Sequence, residues 1–487
     1  MPRYAYDRLT ALDNSFLMLE KPTSYMHVAS TQIHKTGPLR TEGGGVDAAR
    51  FRKMIASVLH RIPRYRQKLA WIPFENHPVW VDDENFSLDY HLRHTALPRP
   101  GTEEQLKRLS ARIMQQHLDR SRPLWEMWLV EGLEGDRFAV ISKTHHCMID
   151  GASGVDLMRV VMSPDPEEHI AEEPTWVPRP APSALELMGH EALRRARLTF
   201  DLLRGAASAM RTAESVRFDL MTRVRAITEA MGGSLRLPSE TPFNRVIGPH
   251  RRFDWMTMEL ADIKKLRKAL GGSLNDIVLT IVTGGVRSFL RARHVNPDKL
   301  DFRVMAPVSV RSENERGALG NRVSAWIVPL PIGEPDRRVQ LERITERTTR
   351  LKESNSAVGA EVLTQAAEYT PSTLLALGAR NITRLLPFNL VVTNVPGPQV
   401  PMYMLGAEML ECHPHVPLTD RLGLGIALMS YNGKLCWGFN ADYDLVPDLR
   451  EFVGAIDGSF AELMALAISR PTLVASEGRE VAQKSAV

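Results

Sequence analysis

The sequence predicts an α/β protein of two domains, and three observations carry that expectation. Its 487 residues are more than one ordinary core encloses. Apolar runs of strand length alternate with amphipathic helical stretches, the pattern of helices layered on sheets. A stretch rich in Pro and Glu, Pro164 to Pro182, has no periodicity and divides the pattern. The division gives a first domain over 1–165, a Pro-rich and then helical linker over 166–240, a second domain over 241–470 and a flexible tail over 471–487.

Each element follows from local chemistry. Leu9 to Glu20 reads as a turn and the start of a helix, and Met26–Ile33 as a strand. Gly43-Gly44-Gly45 marks a loop, after which Asp47 can cap a helix whose Phe51, Ile55, Val58 and Leu59 share one face. Pro78–Val81 is strand-like, and Glu103–Gln116 is a second helix. Pro123–Val130 alternates as a half-buried strand does, with Arg137–Lys143 as its hairpin partner. Residues 184–231 are helical, with apolar positions interleaved with arginines. They fit a helix packed on the body or an amphipathic segment lying on lipid. In the second half the readings are strands at Phe253–Leu260, Phe302–Val310, Asn321–Pro329, Phe388–Val392 and Leu422–Met429. Helices are expected over Leu260–Leu270, from Ser273 to Arg293, over Pro335–Lys352 and over 449–468, with a hairpin turn at Asn432-Gly433.

Composition excludes several classes. An apolar fraction of 44% with 24% charged residues is that of a globular chain, not a disordered one. The net charge of +4, from 61 basic and 57 acidic residues, is too small an excess to argue for nucleic acid. It suits a protein beside anionic lipid or one binding a phosphorylated ligand. Cys147, Cys412 and Cys436 are too few and scattered for a disulfide framework, so a reducing cytoplasmic setting is expected. No apolar leader stands at the N-terminus, and no run approaches the roughly 20 apolar residues of a spanning helix.

The chemistry-bearing stretch is Ser142-Lys143-Thr144-His145-His146-Cys147-Met148-Ile149-Asp150-Gly151. A β-leaning run feeds two histidines, and an Asp-Gly turn follows before a helical pattern over Val155–Met162. Histidine titrates near neutrality, so such a pair is a candidate proton-transfer site, though buried structural histidines are commoner. Neighbouring residues on a strand face opposite ways. One ring can therefore face an opening while the other turns inward, and the two cannot easily share a metal. Neither His145-His146-Cys147 nor Cys412, His413 and His415 is read as a metal site. Gly423-x-Gly425 lacks the third glycine and the acidic residue of a dinucleotide fingerprint. No Ser or Cys nucleophile accompanies the histidines, which favours direct attack by a bound hydroxyl on an activated acyl group.

His145-His146-x-x-x-Asp150-Gly151 resembles the HHxxxDG motif of the CoA-dependent acyltransferase superfamily. Pro123-Leu124-Trp125-Glu126, Ser273-Leu274-Asn275-Asp276, Pro307-Val308-Ser309-Val310-Arg311 with Gly320-Asn321, and Asn394-Val395-Pro396-Gly397-Pro398 narrow the likeness. With Leu9–Pro22, and with Tyr431-Asn432-Gly433 and Val446-Pro447-Asp448, they resemble the bacterial wax ester synthase/acyl-CoA:diacylglycerol acyltransferase family. The likeness runs from about residue 8 to 468. Cys147-Met148-Ile149 replaces a more usual Ala-Leu-Val and stays apolar, so Cys147 reads as a small buried hydrophobe.

The resemblance implies two chloramphenicol-acetyltransferase-like domains, each a mixed sheet flanked by helices, joined by a long helical linker. It implies His146 as the proton acceptor and Asn275 as an oxyanion donor, the alternative for Asn275-Asp276 being a plain helix cap. Support of the site would fall to His145, Asp150, Gly151, Asp276, Pro123, Leu124 and Trp125. The implied partners are long-chain acyl-CoA as co-substrate and diacylglycerol or a long-chain alcohol, at a lipid droplet or inner membrane surface. No tightly bound cofactor, metal or nucleic acid is expected. A carrier-dependent condensation enzyme and a non-catalytic lipid-binding protein are the alternative classes.

Overall fold

The computed structural model of the protein describes residues 6–148, 158, 160–167, 170–209, 237–309, 323–353 and 386–469. The first half runs β1 (Tyr6–Arg8), α1 (Ala11–Leu19), β2 (His27–Lys35), α2 (Ala48–Val58), β3 (Gln67–Ile72), β4 (His77–Asp82), β5 (Leu92–Ala96), α3 (Glu103–Met114), β6 (Trp125–Leu133) and β7 (Arg137–His145). Then comes α4 (Ala184–Ala209). The second half contains β8 (Arg251–Glu259), α5 (Leu260–Leu270), α6 (Leu274–Ala292), β9 (Phe302–Ser309), β10 (Val323–Leu330) and α7 (Arg337–Glu353). It closes with β11 (Leu390–Pro396), β12 (Tyr403–Met404), β13 (Ala407–His415), β14 (Leu424–Tyr431), β15 (Lys434–Asp442) and α8 (Leu449–Ile468).

The helix starts follow from side-chain chemistry. Thr10 Oγ1 accepts from Asp13 N at 3.1 Å, and Asp47 Oδ1 from Arg50 N at 2.9 Å, satisfying first-turn donors of α1 and α2. Reciprocal capping boxes open α3, through Thr102 and Gln105, and α6, through Ser273 and Asp276. The β14–β15 hairpin turns on Asn432 and Gly433, both at positive φ, as the sequence predicts.

Two six-stranded mixed sheets form the frame. One has the order β12-β13-β2-β7-β6-β5, the other β10-β9-β11-β14-β15-β8. In the first only β5 and β6 run parallel; in the second β11 runs parallel to both β9 and β14. The mixed sheets flanked by helices match the fold class expected from the sequence. A small sheet, β1-β4-β3, carries α4, whose Leu187 packs with Ile72, Val79 and Val81. The Pro-rich segment ahead of α4 has no regular element among its described residues and is strapped down where Arg179 clasps Asp82 at 2.9 and 3.0 Å. The part of the expected 184–231 helix beyond Ala209 lies outside the described residues.

One connection was not anticipated. β12 and β13 come from the second half of the chain yet complete the first sheet, β13 pairing antiparallel with β2. The seam is sealed again where Phe253 and Trp255 of β8 join a cluster with Ile33, Ile113 and Ile141. At Gly438 of β15 the packing is so close that a Cβ would lie 1.9 Å from the Pro414 carbonyl of β13. Among the described residues no single helix is long and apolar enough to cross a membrane. The apolar α6 is instead enclosed by the second sheet and α8.

Candidate active site

β7 places alternate side chains on the two faces of the first sheet. Phe138 and Val140 enter the cluster with Trp125 and α2, whereas Ala139 and Ile141 meet α3 and β8. Lys143 belongs to the second set and is fully buried. Its ammonium donates to the Ile113 and Gln116 carbonyls, each at 3.0 Å, at the end of α3. Burial pushes Lys143 down to about 8, against the pull of Glu126.

β7 ends at His145, and His146 opens a single 3₁₀ turn through Met148. The main chain there is fixed on both sides. His145 N donates to Leu124 O at 2.9 Å, and His146 N donates to Met26 O at 2.8 Å. The next strand is steadied by Trp125, whose Nε1 donates to Tyr65 O at 2.8 Å and whose ring stacks on His91. Pro123 O accepts from Trp125 N at 2.9 Å.

The two rings have different surroundings. His145 is 1% exposed, whereas His146 is only half-buried. His145 Nδ1 accepts from Cys147 N at 3.1 Å and lies 2.9 Å from Cys147 Sγ. Burial drives the Cys147 thiol far above its ordinary range, so it stays an S–H donor. With Nδ1 accepting, the ring proton sits on Nε2, which faces Glu20 Oε1 at 3.1 Å. Glu20 Oε1 also accepts from Met26 N at 2.9 Å, and Oε2 accepts from Arg120 Nη2 at 2.6 Å. Burial raises the Glu20 carboxyl, but His145, Arg120 and the Met26 N–H together hold it well below the usual carboxylate range. His27 lies beside this group, its Nε2 3.9 Å from Glu20 Oε1.

The His146 ring stacks on Phe16 of α1, centroids 3.9 Å apart and planes at 23°. Burial pushes His146 down to about 4, its own main-chain carbonyl opposing the shift. At neutral pH the imidazole is therefore uncharged and keeps a lone pair. Phe16 and Glu20 stand four residues apart, so α1 and its end supply a partner to each histidine. Glu20 and Arg120 were not picked out as site residues in the sequence. The signal was the Leu9–Pro22 segment, whose capped helix delivers both Phe16 and Glu20 to the pair.

Asn275 makes no hydrogen bond to either histidine among the described residues. It is exposed at the start of α6, where its Oδ1 accepts from Asn394 Nδ2 at 2.9 Å. Two sequence motifs, Asn275-Asp276 and Asn394-Val395-Pro396, are thus brought together. They line a partly open cleft with Pro307, Trp326, Thr348 and Lys352. Asp276 is buried, completing the capping box and accepting from Thr348 Oγ1 at 2.7 Å. Asp150, Gly151, Arg311 and Asn321 lie outside the described residues.

Among the described residues no cluster of three or more His, Cys, Asp or Glu groups could hold a metal ion. His413 and His415 stack on Trp255 and Phe253, whereas Cys412 lies in the opposite core. The segment from Glu20 to Ser24 reaches the second half of the chain. Lys21 pairs with Asp420, Ser24 Oγ donates to Leu418 O at 2.8 Å, and Arg251 donates to Thr23 O.

Comparison with known proteins gives a consistent result. Residues 9–278 match the wax ester synthase/diacylglycerol acyltransferase catalytic domain, and residues 319–464 match the C-terminal domain of the same family. Two Mycobacterium tuberculosis H37Rv proteins, provisionally named diacylglycerol O-acyltransferases, align along almost their whole length. One is 32% identical over 482 residues, spanning 96% of this chain and 92% of the relative. The other is 29% identical over 468 residues, spanning 95% and 97%. Among solved structures, the wax ester synthase/diacylglycerol acyltransferase of Marinobacter aquaeolei VT8 superposes with a TM-score of 0.67 at 24% identity, covering 94% of this chain and 99% of that one. The first condensation domain of the calcium-dependent antibiotic synthetase superposes with a TM-score of 0.56 at 15% identity, covering 95% and 96%. At those identities the two structures speak for the fold.

Proposed function

The chain belongs to the wax ester synthase/diacylglycerol acyltransferase family, and from that premise we propose that it moves a long-chain fatty acyl group from acyl-CoA to diacylglycerol, with long-chain alcohols as further acceptors. His146 is the general base. It takes the acceptor hydroxyl proton, the oxygen attacks the thioester carbonyl, and the C–S bond breaks to release CoA thiolate, which regains a proton. No covalent acyl-enzyme is formed, and acyl-CoA is a co-substrate rather than a resident cofactor. The observation that carries the reading is the division of labour at the end of β7: a buried His145, with Nδ1 accepting from Cys147 N and Nε2 facing Glu20, beside a half-buried His146 held uncharged against Phe16. A base must reach neutral pH unprotonated, and this ring does.

Asn275 is the proposed oxyanion donor. Its acceptor oxygen is taken by Asn394, which leaves the amide N–H end for a developing charge. The lipid acceptors suggest work at a membrane or droplet surface. Leu185, Leu193 and Phe200 support this, because they are exposed along one stripe of α4 opposite its buried Leu187.

The test is turnover of palmitoyl-CoA with diacylglycerol and, separately, hexadecanol, following free CoA thiol. His146→Ala should lower the rate by about 10²–10⁴-fold with an unchanged circular dichroism spectrum. A variant keeping more than about a tenth of the wild-type rate would remove His146 from the role of base.

A further inference from the structure

Two N–H donors and the His145 ring converge on one carboxylate beneath the histidine pair. Met26 N, His145 Nε2 and Arg120 Nη2 lie 2.9, 3.1 and 2.6 Å from the Glu20 oxygens. An ionised carboxylate accepts at both oxygens, whereas an amide accepts at one and donates at the other. A carboxylate is therefore the side chain this position can use.

Two of those groups lead back to His146. Met26, held by Glu20 at its N–H, accepts from His146 N through its carbonyl at 2.8 Å. His145, whose Nε2 faces Glu20 Oε1 at 3.1 Å, accepts from Cys147 N at Nδ1. The peptide units on either side of the His146 ring are thus tied to the same carboxylate by separate routes. Arg120, which also donates to Leu17 O at 3.2 Å, fixes that carboxylate to the end of α1.

We propose that Glu20 is a positioning residue for His146, acting through the His145 tautomer and through Met26 to aim the base at the acceptor hydroxyl. The proposal rests on the acyltransferase reading above. Glu20 touches neither the substrate nor the reacting atoms. Its loss should misplace the base without emptying the substrate sites, an effect on kcat rather than KM. Misplacement by about 1 Å is worth up to about 10²-fold in rate.

The test uses Glu20→Gln, Glu20→Asp and His145→Gln in the full chain. Glu20→Gln is the same size, and Arg120, with more than a third of its side chain exposed, can turn to solvent, so the fold should survive. Glu20→Gln should lower kcat by about 10–10²-fold while both KM values stay within about threefold. Glu20→Asp, which keeps the charge, should recover part of the loss. In the His145→Gln background, Glu20→Gln should cost clearly less than it does alone, because the two act in one path. Nitrogen-15 spectra of labelled histidines should show His145 protonated at Nε2 in the wild type and in Glu20→Asp, and the Nε2–H signal weakened or shifted in Glu20→Gln. Full additivity with His145→Gln, a loss confined to KM, or an unchanged tautomer pattern would each overturn the assignment. The spectra need no turnover, so they decide the role of Glu20 even if no acceptor is acylated, a result that would instead refute the acyltransferase reading.

Discussion

Replacing His34 with leucine should stabilise the protein much more at pH 5 than at pH 7. His34 is fully buried on β2, its ring stacked on Phe138 at 5.0 Å. Burial pushes it down to about 4, the Ala407 main chain opposing. The unfolded chain takes up this proton below about pH 6.5, and the folded chain resists until about pH 4. Between those values the unfolded state binds more protons, so folding loses stability as the pH falls. With those two values the loss from this ring alone is about 2 kcal/mol at pH 5 and about 0.2 kcal/mol at pH 7. Leucine has no proton to take, and its packing gain or loss is the same at both pH values. Urea unfolding of wild type and His34→Leu at the two pH values gives the difference directly. Equal changes at pH 5 and pH 7 would refute the account of a ring kept uncharged by burial. His77 and His91 are held at about 4 by the same cause and add losses of the same sign. His146 is held at about 4 by burial too, so it keeps its lone pair at both pH 5 and pH 7.

Three further substitutions probe the seam and the second candidate group. Gly438→Ala puts a methyl 1.9 Å from the Pro414 carbonyl, so β13 and β15 must part, and thermal unfolding should show a loss of about 1–3 kcal/mol or more. A melting temperature equal to wild type would mean that the strands do not meet there. Asn275→Ala should lower kcat by about 10²–10³-fold if the amide stabilises an oxyanion. Ser273→Ala, which removes the cap hydroxyl, should cost about 1 kcal/mol in urea unfolding. If Asn275→Ala changes only stability, the motif is a helix cap and nothing more.

Local signals in the sequence were read where they act locally. Asp47, Ser273 and Asn432-Gly433 each fix a helix start or a turn within four residues, and those elements stand where they were expected. The histidine pair was legible because β alternation and the residues around it are contiguous. β13 was missed because it is decided elsewhere. Its Met409 and Cys412 enter one core while His413 and His415 meet Trp255 and Phe253 on the other face, so both faces are buried and no polar alternation marks it. Glu20 was missed for the same reason at the level of a site. It is one of 57 acidic residues and stands far from His145 in the chain, and the Leu9–Pro22 segment marks its helix without marking which side chain meets the histidine pair.

The strand exchange bears on where catalysis can be housed. β2 carries His27, opposite His145 on β7, and its other edge is covered by β13 from the second half. The strand beside the histidine pair is therefore held in register by residues more than 370 positions later in the chain, as in His34 opposite Met409 and Ala29 opposite His415. The Glu20–Ser24 segment is tied to the second half as well, through Asp420, Leu418 and Arg251. A motion that carried β13 away with the rest of the second half would break the β2–β13 ladder, whose main-chain bonds are costly to leave unpaired. Access for the proposed substrates can come instead from space between packed surfaces, such as the cleft beside Asn275. That is why a site built from α1, β7 and their neighbours can keep its geometry while sitting against the seam.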